Sequence, residues 1–231
     1  LKPRQFKLEQ IYLAHLLRSK LPQPRYQVFD RNTRVHVELY RDENVPLETE
    51  EAKLGQQYQK LAGSLTVNFR GEEQTLTQMG RYLEEPDRAL RQQAWESVVN
   101  RRLQEAEKFA AMFEQLLTLR EQIARNAGFA NYLDYAFRAR GRFDYTPDDC
   151  LRFHAAIEEE VMPMLRELQA ARWEKLGLPV LRPWDLQVDP LSRPPLRPFD
   201  DVAKLASSTQ RVFEQLAGSL ARGTRSVIHV P

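Results

Sequence analysis

The sequence predicts a mainly α-helical fold, built of long antiparallel helices with one or two short β-ribbons. Three observations carry this expectation. Only nine glycines occur in 231 residues. The whole stretch from Asp87 to Asn126 holds neither Gly nor Pro, as sustained helix requires. Within it Leu90, Ala94, Val98, Leu103, Ala106, Ala110, Phe113, Leu117 and Ile123 recur at helical spacing and trace one apolar stripe.

Taken along the chain, a helix is expected at Lys7 to Ser19. The alternation of Val35, Val37 and Leu39 with polar residues then suggests a strand. A helix follows at Glu48 to Leu61, and a second alternation, Leu65, Val67 and Phe69, runs into Arg70-Gly71 as a hairpin would. After a short helix at Leu76 to Leu83, Pro86 and Asp87 open a single helix that closes at Gly128, about 60 Å long at 1.5 Å per residue. Asn131 to Arg138 forms another. Thr146-Pro147-Asp148-Asp149 combines a cap, an N1 proline and dipole-matched acids, starting a helix that runs to Leu176 before Gly177. Pro163 lies inside it and predicts a kink near Val161. The proline-dense stretch from Leu178 to Pro198 forbids helix, and Trp184 and Leu186 argue that it packs on the helices. Asp201 to Leu216 is a last amphipathic helix, whereas Gly218 to Pro231 changes character.

Composition removes several function classes. With 42% hydrophobic and 29% charged residues the chain is an ordinary globular one rather than disordered or fibrous. The balance of 34 Lys plus Arg against 32 Asp plus Glu leaves +2, too weak a field to gather a polyanion. A single cysteine, Cys150, excludes an internal disulfide and favours a reducing compartment, so a cytoplasmic protein is expected. No apolar run approaches the roughly 20 residues of a membrane helix, and no signal peptide opens the chain.

Chemistry-bearing motifs are sparse. The histidines His15, His36, His154 and His229 are far apart in sequence. His154 and Glu158 share a helix face at i and i+4, but with no third ligand indicated they read as a histidine bonded to an acid of its own helix. Cys150 sits at a helix N-terminus, where the dipole lowers a thiol pKa, but Asp148 and Asp149 oppose a thiolate, so it reads as a small packed residue. Arg138, Arg140 and Arg142 beside Tyr132, Tyr135, Phe137 and Phe143 mix charges and rings as single-strand binders do. With Asp134, Asp144, Asp148 and Asp149 nearby, they read as internal ion pairs and core aromatics. No catalytic, cofactor-binding or metal-ligating residue is assigned.

From Pro46 to Leu216 the chain resembles zinc oligoendopeptidases of the M3 family, in the region ahead of their catalytic motif. The residues that carry the resemblance include Val45-Pro46-Leu47-Glu48, Asp87-Arg88 with Arg91 and Ala94-Trp95, and Ile123-Ala124-Arg125-Asn126-Ala127-Gly128-Phe129. Arg142-Phe143-Asp144-Tyr145-Thr146-Pro147 and Leu181-Arg182-Pro183-Trp184-Asp185-Leu186 continue it. The resemblance implies a helical, two-lobed peptidase whose channel admits short peptides, with zinc held by a His-Glu-x-x-His helix and a later Glu. Neither motif occurs in these 231 residues, so no catalytic residue transfers and no zinc is expected to bind here. Residues 1–45 are expected to be a partial N-terminal segment, 46–216 the non-catalytic lobe, and 217–231 a tail foreign to the family, left by a broken frame or early stop. With Leu1 in place of an initiator Met, an N-terminal part is expected to be absent too. The chain is then inactive alone and partnered by a catalytic lobe. The alternative is a stand-alone helical module that binds peptides or a partner without cutting them; a third reading, single-strand nucleic-acid binding through Arg138 to Phe143, predicts steep salt dependence.

Overall fold

A computed structural model describes residues 2–191, 193–194 and 196–216. The segment 217–231, read above as a tail, lies outside the described residues. Helices α1 (Lys2–Ala14) and α2 (Gln23–Leu39) pack together across a 3₁₀ turn at Leu16–Lys20. The first helix therefore ends earlier than its apolar pattern suggested. His15 adopts extended backbone and its Nδ1 accepts the Leu17 N–H at 3.2 Å, which starts the tighter turn. Between the two helices Asp30 accepts from Arg18, Arg34 and Tyr12, while Tyr12 meets Phe29 edge-on. The hydrogen bond from Arg18 lowers the Asp30 carboxyl to about 2 against the opposing effect of burial.

The strand expected at Val35 to Leu39 is instead the end of α2. Val35 and Leu39 are both buried and lie four residues apart, so the same residues that alternate also fall on one helix face. The second alternation forms the hairpin it suggested. Strand β1 (Thr66–Phe69) pairs antiparallel with β2 (Glu72–Thr75), Phe69 facing Glu72. Arg70 and Gly71 close it with φ of 56° and 85°, the two left-handed residues of a type I′ turn. Phe69, Met79 and Ala94 form the buried centre under the hairpin, with Tyr82, Leu90 and Val98 against it. The short helix expected at Leu76 to Leu83 is a 3₁₀ turn at Gln78–Glu84.

The longest expected helix is two helices, α4 (Arg88–Leu103) and α5 (Ala106–Asn126), following α3 (Asn44–Gly63). No Gly or Pro marks the break. Its cause is tertiary: α4 packs on the hairpin and on a turn at Pro183–Asp185, while α5 packs on α3 and α6 (Tyr132–Ala139), so the apolar stripe must change direction. Glu105 leaves helical backbone at φ −106°, ψ 7°, and its buried carboxylate is fastened by Lys108 at 2.5 Å and Arg101 at 3.0 Å. Those two cations, Lys108 foremost, hold its carboxyl below the usual range.

Helices α5 and α6 each end in a Schellman motif, with Gly128 at φ 89° and Gly141 at φ 65° supplying the left-handed residue. Helix α7 (Pro147–Ala156) starts with a capping box between Thr146 and Asp149. It passes through a π-turn at Ile157–Val161 into α8 (Met162–Leu176), closed by Gly177 at φ 61°. The kink falls where Pro163 placed it. Proline removes one N–H and clashes with the carbonyl four residues earlier, and the wider π-turn, where Met162 N–H reaches Ile157 C=O, accommodates both. Helix α9 (Val202–Leu216) ends the described chain.

Candidate functional site

The residues weighed from the sequence do not converge. His154 and Glu158 are both exposed and unbonded to each other, at the point where α7 gives way to the π-turn. Among the described residues no three His, Cys, Asp or Glu side chains are grouped to hold a metal. The described residues therefore do not fit a zinc ion. Cys150 is half-buried in the first turn of α7, behind the Asp149 carboxylate that caps the helix and pairs with Arg152.

The arginine and aromatic run is half-buried rather than part of the core, Arg140 is exposed, and its ion pair is made with Glu38 of α2 rather than with the aspartates nearby in sequence. Arg138 bonds Glu38 at 2.6 Å and lies over the Phe143 ring, which Arg31 covers at 4.4 Å. Arg142 lies over Phe137 and Tyr145. These contacts fasten α6 to α2 rather than presenting rings to a ligand. Tyr135 on the same helix is pushed up to about 12, first by burial and then by Glu48, the neighbouring Tyr132 and Glu51.

Two polar knots the sequence reading did not single out as chemistry hold the framework. Asp185 is fully buried and accepts from Arg88 at 3.0 and 2.9 Å, from Arg91 at 2.9 Å and from the Arg182 N–H at 3.0 Å. Arg91, itself 2% exposed, also reaches the carbonyls of Glu85, Pro86 and Trp184. Burial raises the Asp185 carboxyl, and the hydrogen bonds from Arg88 and Arg91 overcome it, so the group stays below the usual range. Trp184 packs on Trp95, so the proline-dense segment is clamped onto α4 by charge and ring together. The second knot joins α3 to the end of α5. Asn44 donates to the Ile123 carbonyl at 3.0 Å and accepts from Asn126 at 2.7 Å, while Arg120 pairs with Glu51 at 2.7 Å.

The C-terminal helices are more exposed, although α1 and α6 also bury no residue. Helices α7, α8 and α9 contain no buried residue among those described. Their apolar side chains point outward: Phe153 is 64% exposed, Leu168 63% and Val212 53%. Isolated exposed leucines are ordinary, but each of these helices exposes several large apolar side chains. The accessible surface of the chain, 17313 Å², far exceeds the roughly 10,800 Å² of a folded monomer of 27.1 kDa. The residues outside the description, taken as fully extended, would supply at most roughly 3,000 Å² of that excess.

The profile of peptidase family M3 matches residues 81–218, and the chain belongs to that family. Among solved structures it is similar to Pz peptidase A with an inhibitor (25% identity, TM-score 0.91), covering 98% of this chain and 40% of that one. It is likewise similar to a protein assigned as oligoendopeptidase F (23%, TM-score 0.91, 98% and 40% covered) and to one so assigned from Bacillus anthracis str. Ames (20%, TM-score 0.89, 98% and 42%). These last two likenesses bear on fold alone. The chain spans about two fifths of the length of the structures it matches. No curated protein matches it. Among the described residues no helix is long and apolar enough to cross a membrane.

Proposed function

We propose that this chain forms the non-catalytic wall of an M3 zinc oligoendopeptidase and that the outward apolar face of α7 to α9 docks the lobe that carries the zinc. The observation that carries the reading is that face: three helices with no buried residue, and an accessible surface well beyond that of a monomer. Family membership and the likeness to Pz peptidase A supply the partner's chemistry. Zinc and its activated water then belong to the docked lobe, since the described residues offer no ligand group. The substrates are short peptides and the compartment is cytoplasmic, both following from the family resemblance and the single cysteine. The chain alone is inactive.

The test is peptide hydrolysis by the purified chain with added zinc. The expected result is no cleavage above background and binding of an apolar dye; chelator-sensitive cleavage by the chain alone would overturn the proposal.

A further inference from the structure

The break between α4 and α5 opens a groove of about 860 Å³, within the usual range for ligand sites. Its lining is mostly apolar, with Thr77, the Tyr58 hydroxyl and Arg102 as the polar groups. Tyr58 of α3 and Phe109 of α5 meet edge-on at 5.5 Å, and Leu65, Met112 and Phe113 extend the surface. Tyr58 is 52% and Phe113 63% exposed, so both present ring area that a partner could cover. Arg102, in the last turn of α4, is the single charged residue of the lining. Its neighbour Arg101 is engaged by Glu105, whereas Arg102 is exposed and makes no ion pair or side-chain hydrogen bond among the described residues.

An apolar groove with one uncommitted guanidinium selects its occupant. A wholly apolar segment seated there would crowd the cation without pairing it. A nucleic acid would need a row of cations where there is one. The complement is an apolar body that ends in one carboxylate, which the planar guanidinium fork can hold bidentately. Thr77, also in the lining, can both accept from a peptide N–H and donate to a peptide C=O, whereas an aliphatic acid offers it only an acceptor at its end. We propose that the α3–α5 groove binds the C-terminal end of a short peptide whose last side chains are aromatic or aliphatic, with Arg102 holding the terminal carboxylate. The assignment rests on the peptide-handling reading above and adds to it a place and a preference.

The test uses the 231-residue chain and an N-terminally fluorescent pentapeptide ending in Leu-Phe, prepared as the free acid and as the C-terminal amide, with binding read by anisotropy. The free acid binds about fivefold more tightly than the amide, the scale of one partly solvated charge pair. Arg102→Gln removes that difference while leaving the amide's affinity unchanged, and Phe113→Ala weakens both forms about tenfold. Lys175→Gln, on α8, changes neither. Circular dichroism verifies the fold of each variant. Equal binding of acid and amide, an unaffected Arg102→Gln, or preferential binding of decanoate over the peptide acid would overturn the proposal. Failure here leaves the wall reading standing, whereas cleavage by the chain alone would defeat that reading and leave the groove.

Discussion

The half of the molecule built on α3 to α6 and the half built on α7 to α9 are both helical, but they are held by different forces. In the first, tertiary knots join elements distant in sequence: Asp185 with Arg88 and Arg91, Asn44 with Ile123 and Asn126, Arg120 with Glu51. In the second, order comes mostly from within each element, through the Thr146 capping box, the π-turn around Pro163 and the Gly177 stop, with one longer tie from Arg172 to the Val188 carbonyl at 2.6 Å. Most helical stability in proteins comes from packing an apolar face, and α7 to α9 leave theirs uncovered. The contrast teaches that one half is tied together by buried polar groups, whereas the other leaves most of its apolar side chains exposed.

The strongest way to break the contrast is Asp185→Asn. It leaves two arginines, one of them buried, without their carboxylate and should cost about 3 kcal/mol in denaturant unfolding. A loss under about 0.5 kcal/mol would mean that the proline segment is held by Trp184 and Trp95 instead. Next is Asn44→Ala, which leaves the Ile123 carbonyl with the Ala127 N–H alone and the Asn126 amide without its acceptor, and should cost about 1.5 kcal/mol. Gly128→Ala should cost about 1 kcal/mol through its left-handed backbone, although open space surrounds the position. Thermal melts check both.

Asp30 gives a pH signature. Its carboxyl is depressed to about 2 from 3.8, so its contribution is fully present above pH 3.8 and drains away as pH falls toward 2. Stability of the parent chain should therefore fall more steeply over that window than that of Asp30→Asn, measured by unfolding at each pH. The smallest effect sharpens the other side of the comparison. Leu168→Ser, on the uncovered face, should shift stability by less than about 0.5 kcal/mol while reducing apolar-dye binding.

Much of this was readable in the residues, and the exceptions share a cause. The hairpin, the capping box at Thr146 and the kink at Pro163 rest on local rules that Arg70-Gly71, Thr146-Pro147 and Pro163 state outright. The α4–α5 break has no such mark, because it is imposed by what each half packs against and by the burial of Glu105. Val35, Val37 and Leu39 misled because a two-residue alternation and a four-residue helical step share positions 35 and 39. Catalytic chemistry was not readable because the sequence holds no zinc motif, and the groove with Arg102 depends on three elements meeting in space.

Hydrogen exchange on the purified chain tests the central contrast most directly. Amides within α3, α4 and α5 should be protected by orders of magnitude more than those within α7, α8 and α9, because the first set is locked by several buried tertiary contacts and the second by little beyond the Arg172 bond to the Val188 carbonyl. Equal protection in both sets would contradict the account, since it would mean that α7 to α9 are stabilised within this chain and await no partner.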